Sequence, residues 1–192
     1  MKKLIPFLFS AALLISGCSF SSGNIPSNDT VPSTGEILTT KNTEAEDDSI
    51  ENSEMYDALV MRFMDANPNT LNQKQLTVAA LITFDAEMMN GGLCQFLIND
   101  YQGYARYVGD ALTEVGAPEM QKHYSGFLSE NEIDVTKMDS FRIASIEDYL
   151  KQLKRFPYEE FDKTFSEIYE KENLGNLLIA YVQRYEEEIL GR

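Results

Sequence analysis

Glu87-Met88-Met89-Asn90-Gly91-Gly92-Leu93-Cys94-Gln95-Phe96-Leu97-Ile98-Asn99 interrupts a long apolar helical run, and the reading of that interruption decides the fold. Asn and Gly tolerate the left-handed backbone that closes a helix, so Asn90-Gly91-Gly92 predicts a helix end, with Gly91 the candidate for positive φ. Gly92 lets a second helix begin at once and pack closely. Gln95 and Asn99 are four apart and share a face, while Phe96 points inward. Their amides are expected to satisfy backbone groups freed at the two helix ends. Glu87, Asn90, Gly91, Gly92, Gln95, Phe96 and Asn99 therefore read as a structural corner, with a binding site as the alternative.

Outward from this corner the signal is helical. Before it, Leu76, Ala80, Phe84 and Met88 stand four apart beside Val78, Leu81 and Ile82, which predicts the most buried helix over 72–89. Upstream again, Tyr56, Leu59, Val60, Phe63 and Met64 recur at helical spacing behind Ser53, a candidate N-cap. After the corner, Tyr104, Tyr107, Val108, Ala111, Leu112 and Val115 form a stripe that stops at Gly116. Pro118 suits the first turn of the next helix, whose inner face is Met120, Tyr124, Phe127 and Leu128. Residues 131–144 read as an irregular connection. Ile146, Tyr149, Leu150 and Leu153 start a short helix that ends near Pro157, and Phe161, Phe165, Ile168 and Tyr169 follow. The last helix carries Leu174, Leu177, Leu178, Tyr181, Val182, Tyr185 and Ile189 on one side. Nothing alternates with period two over a convincing length. The fold class is all-α, a single compact bundle of about seven amphipathic helices.

The N-terminus has a different character. Lys2 and Lys3 precede an apolar run from Leu4 to Ile15, and Leu14-Ile15-Ser16-Gly17-Cys18 ends it like a bacterial lipobox. Residues 1–17 are expected to be a lipoprotein signal peptide and Cys18 the lipidated first residue of the mature chain. The run is short for a membrane span of about 20 residues, so the expectation is an anchored protein in the cell envelope, facing away from the cytoplasm. Residues 18–52 read as an acidic, disordered tether of root-mean-square reach roughly 30 Å, and 53–192 as the folded domain.

Charge narrows the choice of partner. The chain carries 16 basic and 31 acidic residues, a net charge of −15. From Glu54 onward there are 13 basic and 24 acidic residues, so the folded part carries −11. Such a field repels nucleic acid and anionic lipid head groups and favours a basic protein partner. Glu186, Glu187 and Glu188 form the only unbroken acidic triplet of the domain and are the candidate contact patch, expected near a helix C-terminus. Elsewhere acids and bases interleave, as in Glu147, Asp148 and Lys151 or Glu159, Glu160, Asp162 and Lys163, which usually means a solvated face.

The corner motif resembles that of the bacterial DNA-mimic protein family, whose hallmark is Asn-Gly-Gly, two residues, Gln, an aromatic pair, two residues, Asn. Here it is carried by Asn90, Gly91, Gly92, Gln95, Phe96 and Asn99, with Leu97 where a second aromatic residue is common. The tract Ala111-Leu112-Thr113-Glu114-Val115-Gly116-Ala117 is similar to the family's helix ending in Ile/Val-Gly-Ala. The resemblance covers about Met55 to Ile189. It implies an all-α acidic protein that can dimerise; in the family's namesake carboxylates stand in for DNA phosphates on a transcription factor, an activity that the motif does not itself imply. A lipoprotein and a cytoplasmic transcription factor occupy different compartments, so the resemblance carries over the fold rather than the target.

Catalytic apparatus is sparse. The single histidine, His123, reads as a core-edge residue, and Cys94, in an apolar stretch, as a buried inert thiol. No zinc ligand set, phosphate loop or nucleophile elbow is present, so no cofactor or metal is expected. The reading is a non-enzymatic, membrane-tethered, acidic helical module that binds another protein. An immunity-type lipoprotein that neutralises a basic toxin, and a carboxylate-dependent hydrolase, are the alternatives. Cys18→Ser should abolish labelling by a fatty-acid analogue and leave an uncleaved or mislocalised precursor. A substituted chain that still labels and fractionates with membranes would refute the lipobox.

Overall fold

The computed structural model describes residues 43–191, with side chains from Asn52 onward. The signal segment, Cys18 and the tether as far as residue 42 lie outside the described residues. Eight α-helices follow one another: α1 (Thr43–Phe63), α2 (Gln73–Asn99), α3 (Ala105–Val115), α4 (Pro118–Glu130), α5 (Ile146–Leu153), α6 (Tyr158–Tyr169), α7 (Leu174–Arg184) and α8 (Glu186–Leu190). Short 3-10 turns at Pro68–Thr70 and Met138–Phe141 complete the described secondary structure, which contains no strand. The expected all-α bundle is observed, with one more helix than its apolar stripes suggested.

Two boundaries differ from expectation. α1 begins at Thr43, so Ser53 lies inside it rather than capping it. The sequence after Thr43 is rich in Glu and Asp, which favour the positive end of a helix dipole, and an argument from hydrophobicity alone misses that. The final helix breaks at Tyr185, whose φ of −122° and ψ of 32° leave the helical region, so α8 is a separate turn. The glutamate triplet therefore opens α8 instead of closing a longer helix, and the dipole favours it there.

α2 is the axis of the bundle. Val78, Ala79, Ala80, Leu81, Ile82 and Phe84 are wholly buried, and α1, α3, α6, α7 and α8 all pack on this helix. Asn72 caps its start reciprocally with Gln75: the Asn72 side chain accepts from the Gln75 N–H at 2.9 Å, and the Gln75 side chain accepts from the Asn72 N–H at 3.1 Å. The same two side chains hold the chain terminus, since the Asn72 amide donates to the Glu188 carbonyl and the Gln75 amide to that of Ile189. At the other end, the Asp100 side chain accepts the Tyr104 N–H at 2.5 Å and so joins α2 to the start of α3. Gly116, at φ 84°, closes α3, and Pro118 opens α4 as expected.

Hydrogen-bonded carboxylates do much of the fastening. Glu172, just beyond α6, accepts the N–H groups of Glu119 and Met120 through its two carboxylate oxygens, each at 2.9 Å. It caps α4 from another element. Asp85, in the middle of α2 and 5 % exposed, accepts a hydrogen bond from the Tyr56 hydroxyl of α1, and Tyr169 of α6 faces the same carboxylate. Its second oxygen has no hydrogen-bond partner among the described residues. Burial raises the Asp85 pKa despite the tyrosine bonds.

A carboxyl whose folded pKa lies above its unfolded value favours the folded state when protonated, and that contribution is lost as pH rises through the folded pKa. Thermal stability should accordingly rise on acidification through the folded-state pKa of Asp85, which burial holds above the usual carboxylate value. Asp85→Asn removes the titration and keeps an oxygen for Tyr56, so its melting temperature should gain less on the same acidification. An identical pH response in the variant, read by calorimetry, would show that Asp85 is not the group responsible.

Candidate functional site

The Asn90-Gly91-Gly92 corner breaks α2 as the sequence suggests, but the glycines exchange the expected roles. Gly91 has φ −162°, an extended backbone open to any residue. It is required for proximity instead, because a Cβ there would stand 2.1 Å from Gln95 Oε1. Gly92 carries the positive φ, 74°, with ψ −171°. A Cβ at Gly92 would also lie 2.1 Å from Asp162 Oδ2. The glycine thus admits both a conformation and a neighbour that a side chain forbids.

Asp162 reaches in from α6, and its Oδ1 accepts the Leu93 N–H at 2.9 Å. Leu93 follows the break directly, so Asp162 satisfies one of the amides freed where helical geometry resumes. Burial raises the Asp162 pKa, while the Leu93 N–H and nearby His123 oppose the rise. His123 itself stacks on Phe161 at 4.2 Å between ring centres, and its Nε2–H donates to the Phe161 carbonyl at 2.9 Å. It sits at the core edge, as its position on α4 predicts.

Glu87 gathers the motif's amides. Its Oε2 accepts from Gln95 Nε2 and Asn99 Nδ2, both at 2.9 Å, across the break. The expectation that Gln95 and Asn99 serve free backbone groups is thereby corrected: a carboxylate eight and twelve residues upstream takes both. Phe96 is wholly buried and meets Phe84 edge-on at 5.1 Å, so aromatic packing ties the two halves of α2. Asn90 is exposed and makes no side-chain hydrogen bond among the described residues. Sequence reasoning missed Asp162, placing it with the solvated acids of α6. The signal available was Gly92, whose need for space implied a close neighbour without identifying it.

Cys94 is buried next to this corner, and burial pushes its thiol up to about 11, which suits an inert side chain. An open groove runs between α4 and α6, lined among others by Glu119, Lys122, His123, Glu130, Glu160 and Phe161. The three aspartates with raised pKa (Asp85, Asp100 and Asp162) lie outside its lining and serve fold contacts. Among the described residues, no three His, Cys, Asp or Glu side chains are grouped to hold a metal ion.

The glutamate triplet is apart from the corner. Glu186, Glu187 and Glu188 are exposed in the first turn of α8, with no ion-pair partner among the described residues. Asn72 and Gln75 hold the carbonyls of Glu188 and Ile189, and Arg62 adds a bond to that of Leu190 at 3.3 Å. The patch is mounted on a fixed turn. In α5 the interleaved charges do pair, Lys151 meeting Glu147 at 3.2 Å and Asp148 at 3.7 Å. In α6, Glu159, Glu160 and Lys163 form no such pairs among the described residues.

Residues 69–185 match the family model described as DMP19-like protein. The match contains the corner, α3 through α7 and Asp162, and it stops one residue before the glutamate triplet. No curated protein and no solved structure matches the chain.

Gly92→Ala should destabilise the fold by about 3 kcal/mol or more, through backbone strain and loss of the Asp162–Leu93 bond. Gly91→Ala should cost nearer 1 kcal/mol, since Gln95 can swing aside. Denaturant unfolding that ranked Gly91→Ala as the more damaging would contradict this division of roles.

Proposed function

The chain belongs to the DMP19-like protein family, and from that membership we propose that it is a non-enzymatic acidic module of the DNA-mimic type, presenting carboxylates to a basic protein. Lipid on Cys18 holds it at the cell envelope, facing away from the cytoplasm, and the partner is met there. Nucleic acid is not a direct ligand, because phosphates are repelled by the same charge that attracts the partner.

The observation that carries this reading is the surplus of exposed carboxylates without ion-pair partners. The five ion pairs among the described residues engage only Lys74, Lys137, Arg142 and Lys151. Glu54, Asp57, Asp65, Asp110, Glu130, Glu132, Glu159, Glu160, Glu167 and the α8 triplet remain exposed and outside those pairs. The helices set the backbone positions from which these carboxylates project, and so the spacing that standing in for phosphates requires. The corner supports this as scaffold: Gln95 and Asn99 donate to Glu87 within the motif, and Asn90 makes no side-chain hydrogen bond among the described residues.

Neutralising Glu186, Glu187 and Glu188 together to Gln should slow association with a partner crosslinked in the envelope, with a smaller effect on dissociation. The complex should weaken steeply as salt rises, since exposed charges are screened over about 8 Å at physiological ionic strength. A neutral or acidic partner bound with salt-insensitive affinity would overturn the electrostatic reading.

A further inference from the structure

α5 is the one described helix with no buried residue. Its apolar side chains keep helical spacing, yet Ile146, Leu150 and Leu153 are 65 %, 50 % and 39 % exposed. These three lie on one face, at intervals of four and three residues, and only Tyr149 packs against the core. The charge of this region is also reversed. Residues 137–155 hold five basic side chains (Lys137, Arg142, Lys151, Lys154 and Arg155) against three acidic ones, in a domain whose net charge is −11; Lys137, Arg142 and Lys151 each meet an acidic neighbour, and Lys154 and Arg155 stand outside the ion pairs of the described residues. Arg155 is held over the rings of Phe141 and Phe156 and bonds the Ser140 carbonyl, which fixes its charge beside the helix. Arg142 lies 5.9 Å from the ring of Tyr101, itself 63 % exposed.

We propose that this face is a peripheral lipid-docking surface, in which Ile146, Leu150 and Leu153 enter the headgroup boundary of an anionic bilayer while Lys151, Lys154 and Arg142 meet its phosphates. Apolar side chains rimmed by lysine and arginine, with tyrosine at the edge, are the arrangement that an interfacial helix needs. Three side chains on an eight-residue helix fall far short of the roughly 800 Å² that a stable protein interface takes from each partner. They suffice to orient a domain already held near a membrane. The choice of lipid over an acidic protein rests on the lipid anchor proposed above at Cys18, with 24 residues between it and the start of α1 at Thr43. Docking through α5 would set the orientation in which the carboxylates meet their partner.

The sequence contains no tryptophan, so Ile146→Trp introduces a single reporter on the face. In the full chain carrying Cys18→Ser, its emission should shift to the blue on phosphatidylglycerol vesicles at low salt and be quenched by brominated acyl chains. The response should be several-fold weaker on phosphatidylcholine vesicles and in the added presence of Lys151→Glu and Lys154→Glu. Glu187→Trp, on α8, should show neither shift nor quenching. No quenching of the Ile146→Trp reporter by any vesicle would overturn the proposal. So would equal quenching on both lipids, or a shift that grows with protein concentration in the absence of vesicles, which would assign the face to a second copy. Absence of fatty-acid labelling on the chain that keeps Cys18, with quenching of the Ile146→Trp reporter retained, would overturn the lipid anchor alone, because the reporter reads α5 itself.

Discussion

The hydrogen bond from the Leu93 amide to Asp162 is the contact on which the rest of the bundle depends. A helix broken at the edge of a core frees amides on its buried side, and the Leu93 amide, on a wholly buried residue, must find an acceptor. Here the acceptor is a carboxylate from α6, charge-assisted and aligned with the positive end of the resumed helix. Only a glycine at position 92 lets that carboxylate approach. Once α6 is drawn to the break, Phe165 meets Phe84 edge-on at 5.6 Å, and Phe161 stacks under His123 of α4. Glu172, three residues beyond the end of α6, then caps α4 with both oxygens. One segment thus closes two helix starts, and the packing of α2, α4 and α6 follows from it.

This use of carboxylates divides the protein's negative charge into two populations. Glu87, Asp85, Asp100, Asp162 and Glu172 are internal fasteners, engaged by amides or a tyrosine. The exposed glutamates and aspartates of α1, α3, α4, α6 and α8 supply the field that a basic partner would meet. Counting acids in the sequence cannot separate these populations, because the hydrogen bonds they accept in the fold, and not their identity, distinguish them. The positively charged surroundings of α5 stand outside both. Such segregation lets one face repel what the other attracts, which a uniformly acidic surface could not do.

Much of this architecture was legible in the sequence, for definable reasons. The stripes from Tyr104 to Val115 and from Met120 to Leu128, the stop at Gly116 and the start at Pro118 are local signals, and the structure places them as read. The break at the two glycines was also local. What it required of its neighbours was not: Asp162 lies 69 residues from Leu93, and Glu172 lies 52 from Met120. Periodicity cannot foresee an acceptor that arrives from another helix. The role of Glu87 was missed for a related reason, since its reach to Gln95 and Asn99 exists only after the chain folds back at the corner. α5 shows the opposite failure. Its stripe is as regular as that of any buried helix, and only the surrounding structure reveals that nothing described covers it.

The corner is the joint of the bundle, and Asp162 closes it. Site-resolved amide hydrogen exchange under native conditions measures this most directly. The Leu93 amide should exchange only through global unfolding, and in Asp162→Ala its protection should fall far more than that of the Leu81 amide on the other side of the break. If Leu93 exchanges as fast as the exposed amides of α5 in the unaltered chain, or keeps its full protection without Asp162, the joint is not what holds the bundle together.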